Sequence, residues 1–159
     1  MIFEQRVSLA APSDAVWDLI VDVPRMGACL PGLEDVRAEA PETYAGSLRV
    51  TVGPMGVRLE GRLRLAEYDR ERLTTRLDVE AVDRRIRSSV NSKTTMRLEA
   101  NGDATELHMY TEAAVLGKLG QLGQAVLRKK TDQLLAQFAA NMAAELSGSG
   151  AGDRSGGPA

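Results

Sequence analysis

From Thr43 to Val115 the chain alternates with a period of two, the mark of strands that bury one face. In Val57–Leu65 one face carries Val57, Leu59, Gly61, Leu63 and Leu65, and the other carries Arg58, Glu60, Arg62 and Arg64. A later inward row reads Ile86, Ser88, Val90, Ser92, Thr94, Met96 and Leu98. A solid core rarely places such hydroxyls in one row. A cavity uses them, because a few placed polar groups inside a mostly apolar pocket fix a ligand's orientation. The pattern points to a binding protein more than to an enzyme.

Composition narrows the options. The 159 residues suit one domain. Aromatics are only 4% of the chain, so a core or pocket must be built from Leu, Val, Ala and Met. The net charge of -2 leaves no basic excess to neutralise phosphates, which argues against nucleic acid. One Cys forms no internal disulfide and fits a reducing compartment. No secretory signal is read at Met1, and no apolar run approaches the roughly 20 residues of a membrane-spanning helix. The expected location is the cytoplasm, with peripheral contact at the inner face of the cell membrane as a further expectation.

Ile2–Leu9 reads as a first strand. Pro12-Ser13-Asp14 opens a helix, with Ser13 or Ala11 at its boundary and Asp14 favouring its N-terminus. A second short helix spans Pro24–Leu30 and stops at Pro31-Gly32. Strands follow at Leu33–Ala40, Tyr44–Val52, Val57–Tyr68, Leu73–Ala81, Ile86–Leu98 and Ala104–Val115. Val52-Gly53-Pro54-Met55-Gly56-Val57, Asp69-Arg70-Glu71-Arg72 and Asn101-Gly102-Asp103 are hairpin turns, so the sheet is an antiparallel meander. Leu119–Leu146 keeps helical spacing, with Leu119, Val126, Leu127, Leu134, Leu135, Phe138 and Met142 as its apolar stripe. Residues 1–146 are read as one domain, and Ser147–Ala159 as a flexible Gly/Ser-rich tail. This order gives an α+β, helix-grip fold. A curved antiparallel sheet of about seven strands wraps a long C-terminal helix, and two short helices follow strand 1. Such a sheet, held off its helix, leaves space between them.

Three local patterns now carry a resemblance. They are Val16-Trp17 followed by Cys29-Leu30-Pro31-Gly32; the hairpin Val50-Thr51-Val52-Gly53-Pro54-Met55-Gly56; and Gly117-Lys118-Leu119-Gly120-Gln121-Leu122-Gly123 before the last helix. With the element order, they cover the chain to about Leu146. The sequence resembles the START-like (SRPBCC) superfamily, and within it the CoxG family of carbon monoxide dehydrogenase subunits. The resemblance implies a cytoplasmic, non-catalytic accessory protein of a molybdenum carbon monoxide dehydrogenase or related hydroxylase. It also implies a quinone-like lipid in the cavity and help in recruiting the enzyme to the membrane. Longer members carry a C-terminal anchor; here Ser147–Ala159 is short and polar.

The strand phases give a candidate lining of Leu48, Val50, Leu59, Leu63, Leu77, Val79, Ser88, Val90, Ser92, Thr94, Met109 and Thr111. The hydroxyls of Ser88, Ser92, Thr94 and Thr111 are the expected partners of a ligand carbonyl. Trp17, Met26, Cys29, Leu30 and Pro31 join them from the helical segments and the loop at the expected mouth, and Leu119, Leu122 and Val126 from the last helix. Trp17 and Phe138 also read as core anchors, and Cys29 as a small buried side chain at the mouth. His108 shares its phase with Glu106, Tyr110 and Glu112, a polar row, and is expected on the solvent face. One Cys and one His supply no zinc site of the usual type, and no metal or cofactor is expected beyond a bound quinone. Gly117, Gly120 and Gly123 serve either a close backbone approach or a delayed helix start. Two basic stretches stand out: Arg84, Arg85 and Arg87 with Lys93 and Arg97, and Arg128-Lys129-Lys130. They read as solvated faces, or as docking sites for an acidic partner or anionic lipid. On these phases no Asp, Glu or His of the central strands points inward. An enzyme of the same superfamily, a cyclase or hydrolase acting on a polyketide-like molecule, is the alternative reading; it needs such a group.

Overall fold

A computed structural model describes residues 1–151. Its elements are β1 (Ile2–Leu9), α1 (Ser13–Val21), α2 (Val23–Gly27), β2 (Leu33–Ala40), β3 (Thr43–Val52), β4 (Met55–Asp69), β5 (Thr74–Asp83), β6 (Ser88–Asn101), β7 (Ala104–Gly117) and α3 (Gln124–Ala151). The strands form one antiparallel sheet in the order β1-β7-β6-β5-β4-β3-β2. Strands β2 to β7 are a meander, and β1 returns beside β7 with Phe3 opposite Thr111. The two short helices carry the chain from one sheet edge to the other. This is the helix-grip arrangement expected from the sequence.

Local chemistry sets the elements. Pro12 caps α1 with an extended backbone, and Asp14 sits in the first turn. Val16, Trp17, Leu19 and Ile20 bury one face of α1. The Asp22 carboxylate then accepts from the Arg25 N–H at 3.3 Å and starts α2. Between β3 and β4 the chain turns on Gly53 and Pro54, with Val52 opposite Met55. Gly61 stands where β4 closes on β5: a Cβ there would lie 2.0 Å from the Glu80 carbonyl oxygen. Only glycine lets the two backbones meet so tightly.

Strand bounds shift by up to three residues from expectation, and the helix ends differ more. The second short helix ends at Gly27 and gives way to turns before Pro31. The last helix starts at Gln124 rather than Leu119, because Gly123 takes φ +92 after a 3-10 turn at Gly120–Leu122. Gly117, with φ +84, passes so close to β6 that a Cβ would meet the Arg87 carbonyl at 1.9 Å. The glycine run therefore serves both roles: close approach at Gly117 and a delayed start at Gly123. Helix α3 also continues to Ala151, beyond Leu146; the rest of the expected tail lies outside the described residues. With 28 residues α3 is about 42 Å long.

His108 lies on the outer sheet face as its phase requires, yet its side chain is only 16% exposed. It sits on an interior strand between Arg6 of β1 and Arg97 of β6, which shelter it. Its Nε2 is 2.7 Å from Glu106 Oε1, an approach without hydrogen-bond alignment. Glu99, Glu106 and His108 bring their ligand atoms within 4.8 Å of one another on this face.

Asp83 closes the β5–β6 turn. It is 4% exposed and accepts from the Arg58 N–H (2.9 Å) and the Arg85 N–H (3.1 Å). The Arg58 bond most of all holds its carboxyl below the ordinary value, against the opposing pull of burial. Because the folded value is lowered, the unfolded chain takes up the proton first as pH falls. The stabilisation is complete above about pH 4, the unfolded carboxyl range, and fades as pH drops through the folded value. Urea melts from pH 7 to pH 2 should show Asp83→Asn less stable than wild type at pH 7, with a shallower acid limb. Parallel acid limbs in the two proteins would show that Asp83 carries none of this dependence.

Candidate ligand cavity

The concave face of the sheet is packed at both ends and open between them. At one end Trp17, Leu19 and Ile20 of α1 meet Leu65, Leu77, Met96, Leu107 and Met109 of the sheet, and Phe138 and Met142 of α3. At the other end Val52, Val57 and Leu59 meet Ile86, Leu119 and Leu127. Leu9, Val16 and Leu107 in the first cluster are 0% exposed. By contrast Leu48, Val50, Val79, Val90 and Ser92, midway along the sheet, are only half-buried. They line a cavity of about 350 Å³, at the small end of ligand pockets.

The floor comes from β3 to β7, with Leu63, Ala81, Thr111, Ala113 and Val115 beside those residues. The roof is α3, through Leu127, Lys130, Thr131, Leu134 and Leu135. Met26 and Leu30 close the α2 side. Edge strand β2 adds Leu33 and Val36, an odd and an even position. A bulge permits this: the β2–β3 register shifts between Glu34 and Arg37, with Asp35 at φ 57. Among the lining residues there is no Asp, Glu, His or Cys. Thr111 and Thr94 share a hydroxyl–hydroxyl bond of 2.8 Å. No described helix is long and apolar enough to cross a membrane.

The chain matches the CoxG family of carbon monoxide dehydrogenase subunits over residues 6–147. It belongs to that family. No curated protein matches it significantly. Among solved structures, a conserved protein from Geobacillus kaustophilus aligns with TM-score 0.86 at 18% identity, over 94% of this chain and 97% of that one. The Zhui aromatase/cyclase from a Streptomyces species aligns with TM-score 0.66 at 17% identity, over 93% and 94%. A START superfamily protein from Mycobacterium smegmatis aligns with TM-score 0.66 at 10% identity, over 92% and 97%. At these identities the structures establish the shared START-like fold.

Of the candidate ligand-binding residues in this CoxG-family chain, Met26, Leu30, Leu48, Val50, Leu59, Leu63, Val79, Val90, Ser92, Thr111 and Leu119 line the cavity. The remaining candidates do not line it. Trp17, Leu77 and Met109 are packed into the α1 core, because α1 fills that end of the sheet. Cys29 is in the same core, 5% exposed, with its thiol toward the Arg25 carbonyl; burial pushes its pKa up. Thr94 sits one pair along from Ser92 and spends its hydroxyl on Thr111. Leu122 packs against the second cluster, and Val126 rides over the Gly53 turn, 36% exposed. Pro31 stands in the turn beyond Leu30, off the lining.

The sequence reading missed several lining residues, among them the polar Tyr44, Arg62, Lys130 and Thr131. Helical spacing from Leu127 and Leu134 would have found the last two.

Ser88 has a structural role instead. Its Oγ accepts from the Leu119 N–H at 2.9 Å, and its hydroxyl donates to the Ile86 carbonyl at 3.1 Å. This buried pair fixes Leu119 under the far end of the cavity. Ser88→Ala leaves a buried N–H unpaired and should cost about 1–3 kcal/mol in chemical denaturation. A change below about 0.5 kcal/mol, the scale of a neutral surface substitution, would remove that role.

Proposed function

We propose that this protein binds a hydrophobic, quinone-like molecule between the sheet and α3, performs no chemistry on it, and serves a molybdenum carbon monoxide dehydrogenase-type oxidoreductase as an accessory protein. The observation that carries the reading is the cavity itself: an aliphatic enclosure with a few hydroxyls and no carboxylate or imidazole on its lining. Apolar burial supplies affinity at about 25 cal/mol per Å² before association costs. A cyclase or hydrolase would need a placed acid or base within reach of its substrate, and the lining residues do not favour that alternative. The family's description supports the oxidoreductase partner.

The test is native mass spectrometry of protein purified from quinone-containing cells, followed by solvent extraction and titration with quinone analogues. Stoichiometric bound quinone is the expected result. Val90→Trp and Ser92→Leu fill the half-buried middle of the floor and should abolish binding while leaving the thermal melt within a few degrees of wild type. Unchanged affinity in both variants would remove the cavity as the site.

The same reading places the protein peripherally on the cytoplasmic face of the cell membrane. One end of the molecule supports this. Arg85 donates to the Gly56 carbonyl at 2.7 Å, and the Arg87 backbone packs on Gly117, which brings the hairpin, the β5–β6 turn and the end of β7 together. Arg84, Arg87 and Lys118 are exposed there without ion-pair partners among the described residues. Leu116 (60% exposed) and Val82 (40%) stand among them. Cations with interspersed aliphatics suit an anionic bilayer surface. Arg84→Glu with Arg87→Glu should reduce co-sedimentation with phosphatidylglycerol vesicles several-fold; equal sedimentation would sink the membrane contact.

A further inference from the structure

The apolar stripe of α3 is interrupted once, where it crosses the cavity. Leu127, Leu134, Phe138 and Met142 follow helical spacing on the inner side. Between Leu127 and Leu134 the inner positions are Lys130 and Thr131, and both line the cavity. The orientation of α3 is fixed on either flank. Toward β1, Arg128 donates to the Ile2 carbonyl at 3.0 Å and Asp132 accepts from Gln5 at 3.4 Å. Toward α2, Asn141 donates to the Cys29 carbonyl at 2.8 Å. Lys130 lies about three turns before Asn141 on that same flank, so it stands at the rim on the α2 side, half-buried.

Lys130 has no ion-pair partner among the described residues, and no lining residue is acidic. The other cations on the lining are engaged: Arg62 is bound to Glu39 at 2.7 Å on the outer face, and the Met1 ammonium donates to the Ala113 carbonyl at 2.7 Å. A half-buried lysine with no carboxylate beside it keeps its ammonium donors available to another acceptor. Ammonium hydrogen bonds to an oxygen acceptor are among the stronger ones.

We propose that Lys130 receives an acceptor oxygen on the polar head of the ligand, so that the cavity selects apolar molecules ending in a carboxylate or a carbonyl and holds them head toward the α2-side rim. This rests on the cavity-binding reading above and adds the ligand's polarity and orientation. Thr131, next along the helix, offers a hydroxyl to the same head.

The test is displacement of a neutral dye such as Nile red from wild type, Lys130→Met and Lys130→Arg. The probes are dodecanoate, a decyl-substituted benzoquinone and a phenylalkane of equal length. Methionine keeps the length of the stem, and the half-buried site tolerates it. Wild type should bind both oxygen-bearing probes. Lys130→Met should weaken one or both by about tenfold or more and leave the phenylalkane unchanged, with Lys130→Arg recovering the dodecanoate. Loss confined to dodecanoate assigns an anionic head; loss confined to the quinone assigns a neutral carbonyl. Equal affinities in wild type and Lys130→Met for both oxygen-bearing probes overturn the inference while the cavity reading stands. A wild type that binds no probe overturns both.

Discussion

Phe138 and Met142 fasten the C-terminal half of α3 to the α1 core, and Leu119 with Leu127 fastens its approach to the hairpin end. The span between these anchors bridges the middle of a concave sheet whose side chains there are mostly Val, Leu, Ala, Ser and Thr. None of these is large enough to reach across. The cavity follows from that mismatch: two packed ends set the separation of helix and sheet, and mid-sized residues leave the centre unfilled. A chain with 4% aromatics has few side chains with which to fill it.

The connection from β7 to α3 sets where the second anchor falls. Gly117 lets the chain turn against the backbone of Arg87, Ser88 then takes the Leu119 N–H, and Gly123 redirects the chain before α3 begins. Leu119 is 4% exposed as a result. Polar and conformational details of a few residues thus position an apolar plug, and the plug positions the helix. At the opposite end the link is ionic and peptide-based: Arg25 reaches Glu145 at 2.8 Å, and Asn141 reaches the Cys29 carbonyl.

Strand phases and hairpins were legible because alternation and turn chemistry are local. Val57–Leu65 and the row from Ile86 to Leu98 both face as their periodicity requires. Periodicity separates inside from outside but does not say how far along the inside a neighbouring helix reaches. Leu77 and Met109 therefore read the same as Val79 and Thr111, although α1 covers the first pair and leaves the second pair facing space. Lys130 and Thr131 escaped for a different reason: a search for an apolar stripe passes over the polar residues that interrupt it. Leu33 and Val36 share a face only because of a bulge, and Asp35 at φ 57 leaves little local trace.

That bulge lies in β2, a strand with a single neighbour. An edge strand can gain a residue, lose one or slide by one without forcing any other pair in the sheet to re-form. Here the same strand forms part of the cavity wall through Leu33 and Val36. The wall most exposed to evolutionary editing is thus the one whose alteration disturbs the fold least. Insertions and deletions within these eight residues offer the lineage a route to new ligand shapes, while the buried ends of the molecule stay as they are.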